Sequence, residues 1–149
     1  DNPGHLWAGN LIVAKGVLAG SLSVQRVDVD DGINDPTLED TVQLGASYNL
    51  GLATLFGQYT HTRDRGLAVD SDIVSVGASV PLGPGTIQAQ IATSKADGSA
   101  VSRKQTTTSA AYVYAFDSLT DFYVVASDDR VRGQTRGFSA AVGVRYRFQ

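Results

Sequence analysis

Residues 74–91 read VSVGASVPLGPGTIQAQI. Val74, Val76, Ala78, Val80 and Leu82 share one parity, and Ser75, Gly77, Ser79 and Pro81 the other. After Gly83-Pro84-Gly85 the beat resumes, with Ile87, Ala89 and Ile91 set against Gln88 and Gln90. Successive side chains of a strand point to opposite faces, so this period predicts two strands joined by a tight turn. Gly-Pro-Gly is turn chemistry, and Pro81 is tolerable at a strand end beside it. Each strand has one apolar face and one face of small or polar groups.

The same beat recurs along the chain. In residues 42–50 Val42, Leu44, Ala46, Tyr48 and Leu50 alternate with Gln43, Gly45, Ser47 and Asn49. Leu18, Gly20, Leu22 and Val24 alternate with Ser21, Ser23 and Gln25. Capped helical stripes are nearly absent. The alternation predicts nine strands, roughly 5–14, 17–27, 41–50, 52–63, 72–82, 85–95, 106–116, 120–129 and 137–148. Most are about ten residues long, which fits a tilted membrane-crossing strand better than the five to six usual in soluble sheets.

Composition narrows the classes. The chain has 149 residues, enough for one domain, and a net charge of −3, which argues against a nucleic-acid surface. It has no cysteine, so disulfides, thiol nucleophiles and thiolate metal sites are excluded. The two histidines, His5 and His61, lie far apart and make no His-based metal motif. No apolar run is long enough for a membrane helix, and Asp-Asn-Pro-Gly at the start lacks the basic start and apolar stretch of a leader peptide, so either a leader is expected to have been removed or the chain to begin in the middle of something longer. Mean hydropathy is −0.06. That value fits a soluble protein, and equally a membrane barrel, in which only alternate residues meet lipid.

Connections point to the barrel. Short turns are expected at Lys15-Gly16, Leu50-Gly51, Gly83–Gly85 and Asp117–Leu119, and longer polar ones at Asp28–Asp40, Asp64–Ser71, Ala96–Lys104 and Arg130–Arg136. Short and long alternate, so all turns fall at one end and all loops at the other, as in outer-membrane barrels. GASYNLG (45–51) and GASVPLG (77–83) are 32 residues apart, and AAYVYAF (110–116) and VGVRYRF (142–148) continue the repeat. One hairpin per repeat fits an antiparallel array. Tyr48, Tyr112, Tyr114, Phe116, Phe122, Tyr146 and Phe148 gather near the turn ends, and Trp7 and Tyr59 nearer the loop ends, as two interfacial aromatic girdles would require. A soluble β-sandwich binding module is the alternative.

LEDTVQLGASYNLGLATLFGQYTHTRD, the VGASVPLG hairpin and the terminal VGVRYRF resemble the C-terminal half of general diffusion porins of β-proteobacteria, over about Gly4 to Phe148. Gln149 after the final aromatic departs from that family's ending. The resemblance implies a trimer of roughly sixteen-stranded barrels in the bacterial outer membrane, of which this chain would supply about nine strands as a single segment, 1–149. Nine is odd, so strands one and nine run the same way, and bacterial single-chain barrels are even-stranded. The chain is therefore expected to be a piece of a larger barrel.

A porin needs no catalytic residue and no cofactor; lumen width and lining charge set its function. The parity predicts that Gln25, Gln43, Asn49, Thr54, Gln58, Thr60, Ser75, Gln88, Gln90, Ser109, Arg145 and Arg147 line the pore, with Arg145 and Arg147 giving a mild anion bias. Interfacial arginines are the competing reading for that pair. Leu6, Ile12 and Phe56 fall on the same nominal face and mark a covered wall, a subunit contact or a slipped register. The expected partners are outer-membrane lipid, lipopolysaccharide, ions, small hydrophilic solutes and two further copies, with no nucleic acid. A barrel with a plugged lumen is the alternative within the membrane class. Asp28, Asp30, Asp31, Asp35, Glu39 and Asp40 supply oxygens for a divalent cation, but Val27 and Val29 stand where an EF-hand needs ligands. His61, with Thr60, Thr62 and Asp64 beside it, makes a poor hydrolase site, because the two threonines fall on the opposite face.

Overall fold

The computed structural model describes residues 5–29, 37–98 and 102–148. Nine antiparallel strands form one sheet in chain order. They are β1 (His5–Lys15), β2 (Leu18–Val29), β3 (Thr37–Asn49), β4 (Thr54–Asp64), β5 (Val69–Leu82), β6 (Gly85–Gly98), β7 (Ser102–Ala115), β8 (Thr120–Val131) and β9 (Gly137–Tyr146). Each strand pairs with its sequence neighbours, which leaves β1 and β9 as edges. A soluble sandwich requires a second sheet packed on the first. Among the described residues there is one layer.

All nine expected strands are present, and they differ from expectation mainly at the loop ends. β3 begins at Thr37 rather than 41, β5 at Val69 rather than 72, and β6 runs on to Gly98 rather than 95. A ladder hydrogen bond is indifferent to side-chain polarity, so pairing continues into water beyond the apolar band. The loops shorten accordingly. The connection between β4 and β5 is 65–68, no longer than the turn at 50–53. The length asymmetry seen in the sequence is thus partly strand. The four repeats hold their place, since each ends an odd-numbered strand at the turn end. Gly16 (φ 60°) and Gly83 (φ 59°) open the two-residue turns, in a region that suits glycine and fits a type II′ hairpin.

Register fixes the faces, because directly opposed residues of an antiparallel pair lie on the same side. Gln25 opposes Thr41, Gln43 opposes Thr60, Gln58 opposes Ser75, Ser79 opposes Gln88, Gln90 opposes Ser109, and Ser109 opposes Ser127. The polar parity of every strand therefore joins one continuous face. The apolar parity joins the other. In β3 the polar-face residues 41, 43, 45 and 47 are half-buried, while 42, 44, 46 and 48 are exposed. Crowding on one face is what a sheet curling toward that face produces.

Among the described residues no apolar side chain is buried. The accessible surface is 10566 Å². A compact soluble monomer of 15.7 kDa would expose about 7,300 Å². The difference is the cost of a single-layered sheet whose apolar face, with Val142 81% and Leu44 49% exposed, has no partner within the chain. Such a face is stable only against an apolar surrounding.

Candidate functional site

The twelve residues expected to line a lumen have one parity throughout, and register puts those within the strands on the polar face. Their local roles differ. Gln58 Nε2 donates to Thr60 Oγ1 at 3.3 Å, and Ser109 and Ser127 share a 2.7 Å hydrogen bond across β7 and β8. The Asn49 Oδ1 accepts the Gly51 N–H at 2.7 Å and so braces the β3–β4 turn. Ser75, at 7% exposed, is the one buried side chain of the twelve. Gln88 and Gln90 are exposed.

The register is not slipped at Leu6, Ile12 and Phe56. Leu6 opposes Val27, Ile12 opposes Ser21, and Phe56 opposes Gly77. The Phe56 ring lies over Gly77 in the space a Cβ would occupy there. An aromatic spread on a facing glycine covers bare backbone, which accounts for a phenylalanine on a polar face. Tyr123 covers Gly143 in the same manner on the same face. Leu6 and Ile12 remain about two-thirds exposed, at 67% and 68%, on the edge strand β1.

The sequence reading missed Asp121. It lies on the polar face opposite Arg145 and is one of two buried polar residues among those described. Arg145 donates to Asp121 Oδ2 at 2.9 Å through Nε and 2.5 Å through a terminal nitrogen, and Arg147 donates to the same oxygen at 2.5 Å. Arg147 also donates to the Ser118 carbonyl at 3.4 Å. The two arginines are therefore not independent cations, because one carboxylate is shared between them. Counting across the Asp117–Leu119 turn pairs Asp121 with Ala115; only the register of the β8–β9 hairpin places it opposite Arg145.

The apolar face is bounded at the loop end by charge. Arg26 and Asp40 pair at 3.6 Å, Asp40 also pairs with Arg65, and Arg63 pairs with Asp70 at 2.9 Å. His61 Nδ1 lies 2.9 Å from Asp72 Oδ1, and the Tyr59 hydroxyl donates to the same oxygen at 2.6 Å. His61 opposes Asp72, with Thr60, Thr62 and Asp64 on the other face. Tyr59 thus turns its hydroxyl toward the charged end. At the turn end Tyr114 opposes Phe122, the Phe116 and Phe122 rings meet edge to face at 5.8 Å, and Tyr146 and Phe148 do so at 5.0 Å. Trp7, Tyr48 and Tyr112 share this apolar parity.

For the cation reading of residues 28–40, Asp30, Asp31 and Asp35 lie outside the described residues, as does Gln149. Of the rest, Asp28 and Asp40 are on the apolar parity and Glu39 on the polar one, so they diverge.

A family model for the Gram-negative porins matches residues 3–134. The chain belongs to the Gram-negative porin family. As a porin it is a protein of the outer membrane. No curated protein sequence matches it. Among solved structures, a loop-deletion mutant of OmpT, an outer membrane protein of Vibrio cholerae, aligns with a TM-score of 0.83 at 15% identity, over 96% of this chain and 53% of that one. An anion-selective porin from Comamonas acidovorans aligns with a TM-score of 0.79 at 23% identity, over 96% of this chain and 49% of that one. In-vitro folded OmpT in a trimer form aligns with a TM-score of 0.76 at 13% identity, over 96% and 56%. These likenesses show the fold of outer-membrane barrels, and the chain spans about half the length of each of these three.

Proposed function

We propose that these nine strands form part of the wall of a water-filled channel through which ions and small hydrophilic solutes diffuse passively. The observation that carries this reading is the two-faced single layer. One continuous face is small, polar and mostly neutral across eight ladders. The other is apolar and exposed. Lipid on one side and water on the other satisfy both at once. Gln25, Gln43, Asn49, Thr54, Gln58, Thr60, Ser75, Gln88, Gln90, Ser109, Arg145 and Arg147 are assigned to the water side. The aromatics Trp7, Tyr48, Tyr59, Tyr112, Tyr114, Phe116, Phe122, Tyr146 and Phe148 are assigned to the two lipid interfaces. Passage requires no chemical step, so no residue has a catalytic role.

The open edges β1 and β9 support closure by further strands. Each bare backbone group in lipid costs several kcal/mol, on the order of 2–7. Both edges run in the same direction, so an even-stranded antiparallel barrel needs an odd number of additional strands between them. The outer surface would then contact lipid and lipopolysaccharide, and the trimer form of one structural neighbour supports a homotrimer. The test is planar-bilayer recording of the assembled porin. Stepwise openings are expected, and a folded, inserted protein that stays silent would mean a plugged barrel. Heated and unheated mass in detergent should differ by a factor of three for a trimer.

A further inference from the structure

Among the described residues the wall's charges are confined to its two ends, and the net sign differs between them. Among the described polar-face residues, the charged ones at the loop end are Glu39, Asp64, Asp129 and Arg103. At the turn end they are Asp121, Arg145 and Arg147. Between them the face is neutral, made of Gln, Ser, Thr, Asn, Ala, Gly and a few larger apolar residues.

None of the three loop-end carboxylates is in an ion pair among the described residues. Glu39 accepts from the Thr41 hydroxyl at 3.0 Å, Asp64 from the Leu67 N–H at 3.0 Å, and Asp129 from Gln105 Nε2 at 3.2 Å. Arg103 reaches the Gln105 amide oxygen at 3.4 Å rather than an acid. Glu39 directly opposes Asp64. Like charges placed so destabilise a sheet, and the pair adds to the local negative field. At the other end two guanidiniums share one carboxylate and leave a surplus positive charge on the wall, with side chains 58% and 48% exposed; the Asp117 carboxylate of the adjoining turn is folded onto its own backbone, accepting the N–H groups of Leu119 and Thr120.

The separation decides whether these are two zones or one. Asp121 and Asp129 bracket β8, eight residues apart. That is about 27 Å along the strand and about 20 Å along the axis at a tilt near 40°. The Debye length is about 10 Å at 0.1 M salt and about 3 Å at 1 M. At low salt each end therefore sets its own local ion population, with a neutral stretch between.

Resting on the channel reading above, we infer that this wall makes the pore an ionic rectifier. Fixed negative charge concentrates cations at the loop-end mouth, and fixed positive charge concentrates anions at the turn-end mouth. When the loop-end side is positive, cations enter past the carboxylates and anions enter past the guanidiniums. Both accumulate in the lumen and the current is large. With the opposite polarity both are drawn out past the mouths that favour them, the lumen is depleted, and the current is smaller.

The experiment uses the complete porin in planar bilayers, inserted with one orientation, in about 0.1 M and about 1 M KCl. The ratio of currents at equal and opposite voltages is compared with those of E39Q, D64N, D129N and R147Q, singly and with the three acid variants combined. Acid variants and R147Q are both expected to lower the ratio of loop-positive to loop-negative current at low salt. They are expected to move the reversal potential in a salt gradient in opposite directions, toward anions for the acids and toward cations for R147Q. The differences should vanish at high salt. Openings of normal size with an unchanged ratio in the combined acid variant would overturn the rectifier and leave the channel standing. So would an R147Q variant that raises the ratio. A wild-type protein that inserts without openings overturns the channel and the rectifier together. The single substitutions lie at exposed or half-buried wall positions, and heat-modifiable migration in detergent verifies that each has folded.

Discussion

Gly77 and Phe56 oppose each other on β5 and β4, and the phenyl ring occupies the space of the missing Cβ. A valine at 77 has to displace both the ring and its own contact with the Ala89 carbonyl. Overpacking of this kind costs about 1–3 kcal/mol. Gly77→Val should lower the urea midpoint of the folded porin in detergent, and Phe56→Leu in the same background should recover part of the loss. Asp121 makes a different kind of prediction. Asp121→Asn keeps the shape but leaves Arg145 and Arg147 facing each other without a shared carboxylate. Charge-assisted hydrogen bonds are worth about 1.5–3 kcal/mol, so a loss of that order in unfolding free energy is expected. The reversal potential should also shift toward anions, because a negative charge leaves the wall. A stability loss with no such shift would place the cluster outside the conducting path.

Turns set the register of each hairpin, and two kinds of chemistry appear among the four. Gly16 and Gly83 supply positive φ, and an alanine there has open space but the wrong backbone, a loss of about 1 kcal/mol. The β7–β8 turn has no glycine. Instead the Asp117 Oδ1 accepts the N–H groups of Leu119 and Thr120, both at 2.7 Å. Chiefly the Leu119 N–H holds the Asp117 carboxyl below the usual carboxylate range. A depressed value means that the stabilisation is complete above the unfolded pKa, near 3.9, and is lost as pH falls through the folded value. Asp117→Ala should therefore be less stable than wild type at neutral pH, with the gap closing below about pH 4. Equilibrium unfolding across pH measures this directly. The strands themselves were readable because one parity is predominantly small or polar from β2 to β9, with β1 the least regular. Their loop ends were not, since ladders extend through Thr37–Leu38 and Asp97–Gly98 without any alternation to mark them. Asp121 was hidden for a related reason. Its partners stand 24 and 26 residues away, and only the hairpin register brings them together.

On the scale of the whole molecule, two surfaces demand partners: the apolar face and the edges. The apolar face is unremarkable in lipid, and a charge placed there measures its depth. Val76, on the apolar parity of the central strand β5, is 54% exposed. Arginine at a mid-bilayer position costs about 2–4 kcal/mol. At the neighbouring polar-face Ser79 the same substitution meets water and should cost far less. The edges are the stronger constraint. β1 is exposed along its full length and β9 along all but one residue, and lipid cannot satisfy their free N–H and C=O groups. Refolded alone in detergent, the 15.7 kDa chain should therefore sediment as multiples of itself, with strands joined edge to edge. Within an assembled barrel, the amides of β1 and β9 should exchange as slowly as those of β5. A monodisperse single chain with protected edge amides would instead mean that nine strands close on themselves through a parallel β1–β9 seam.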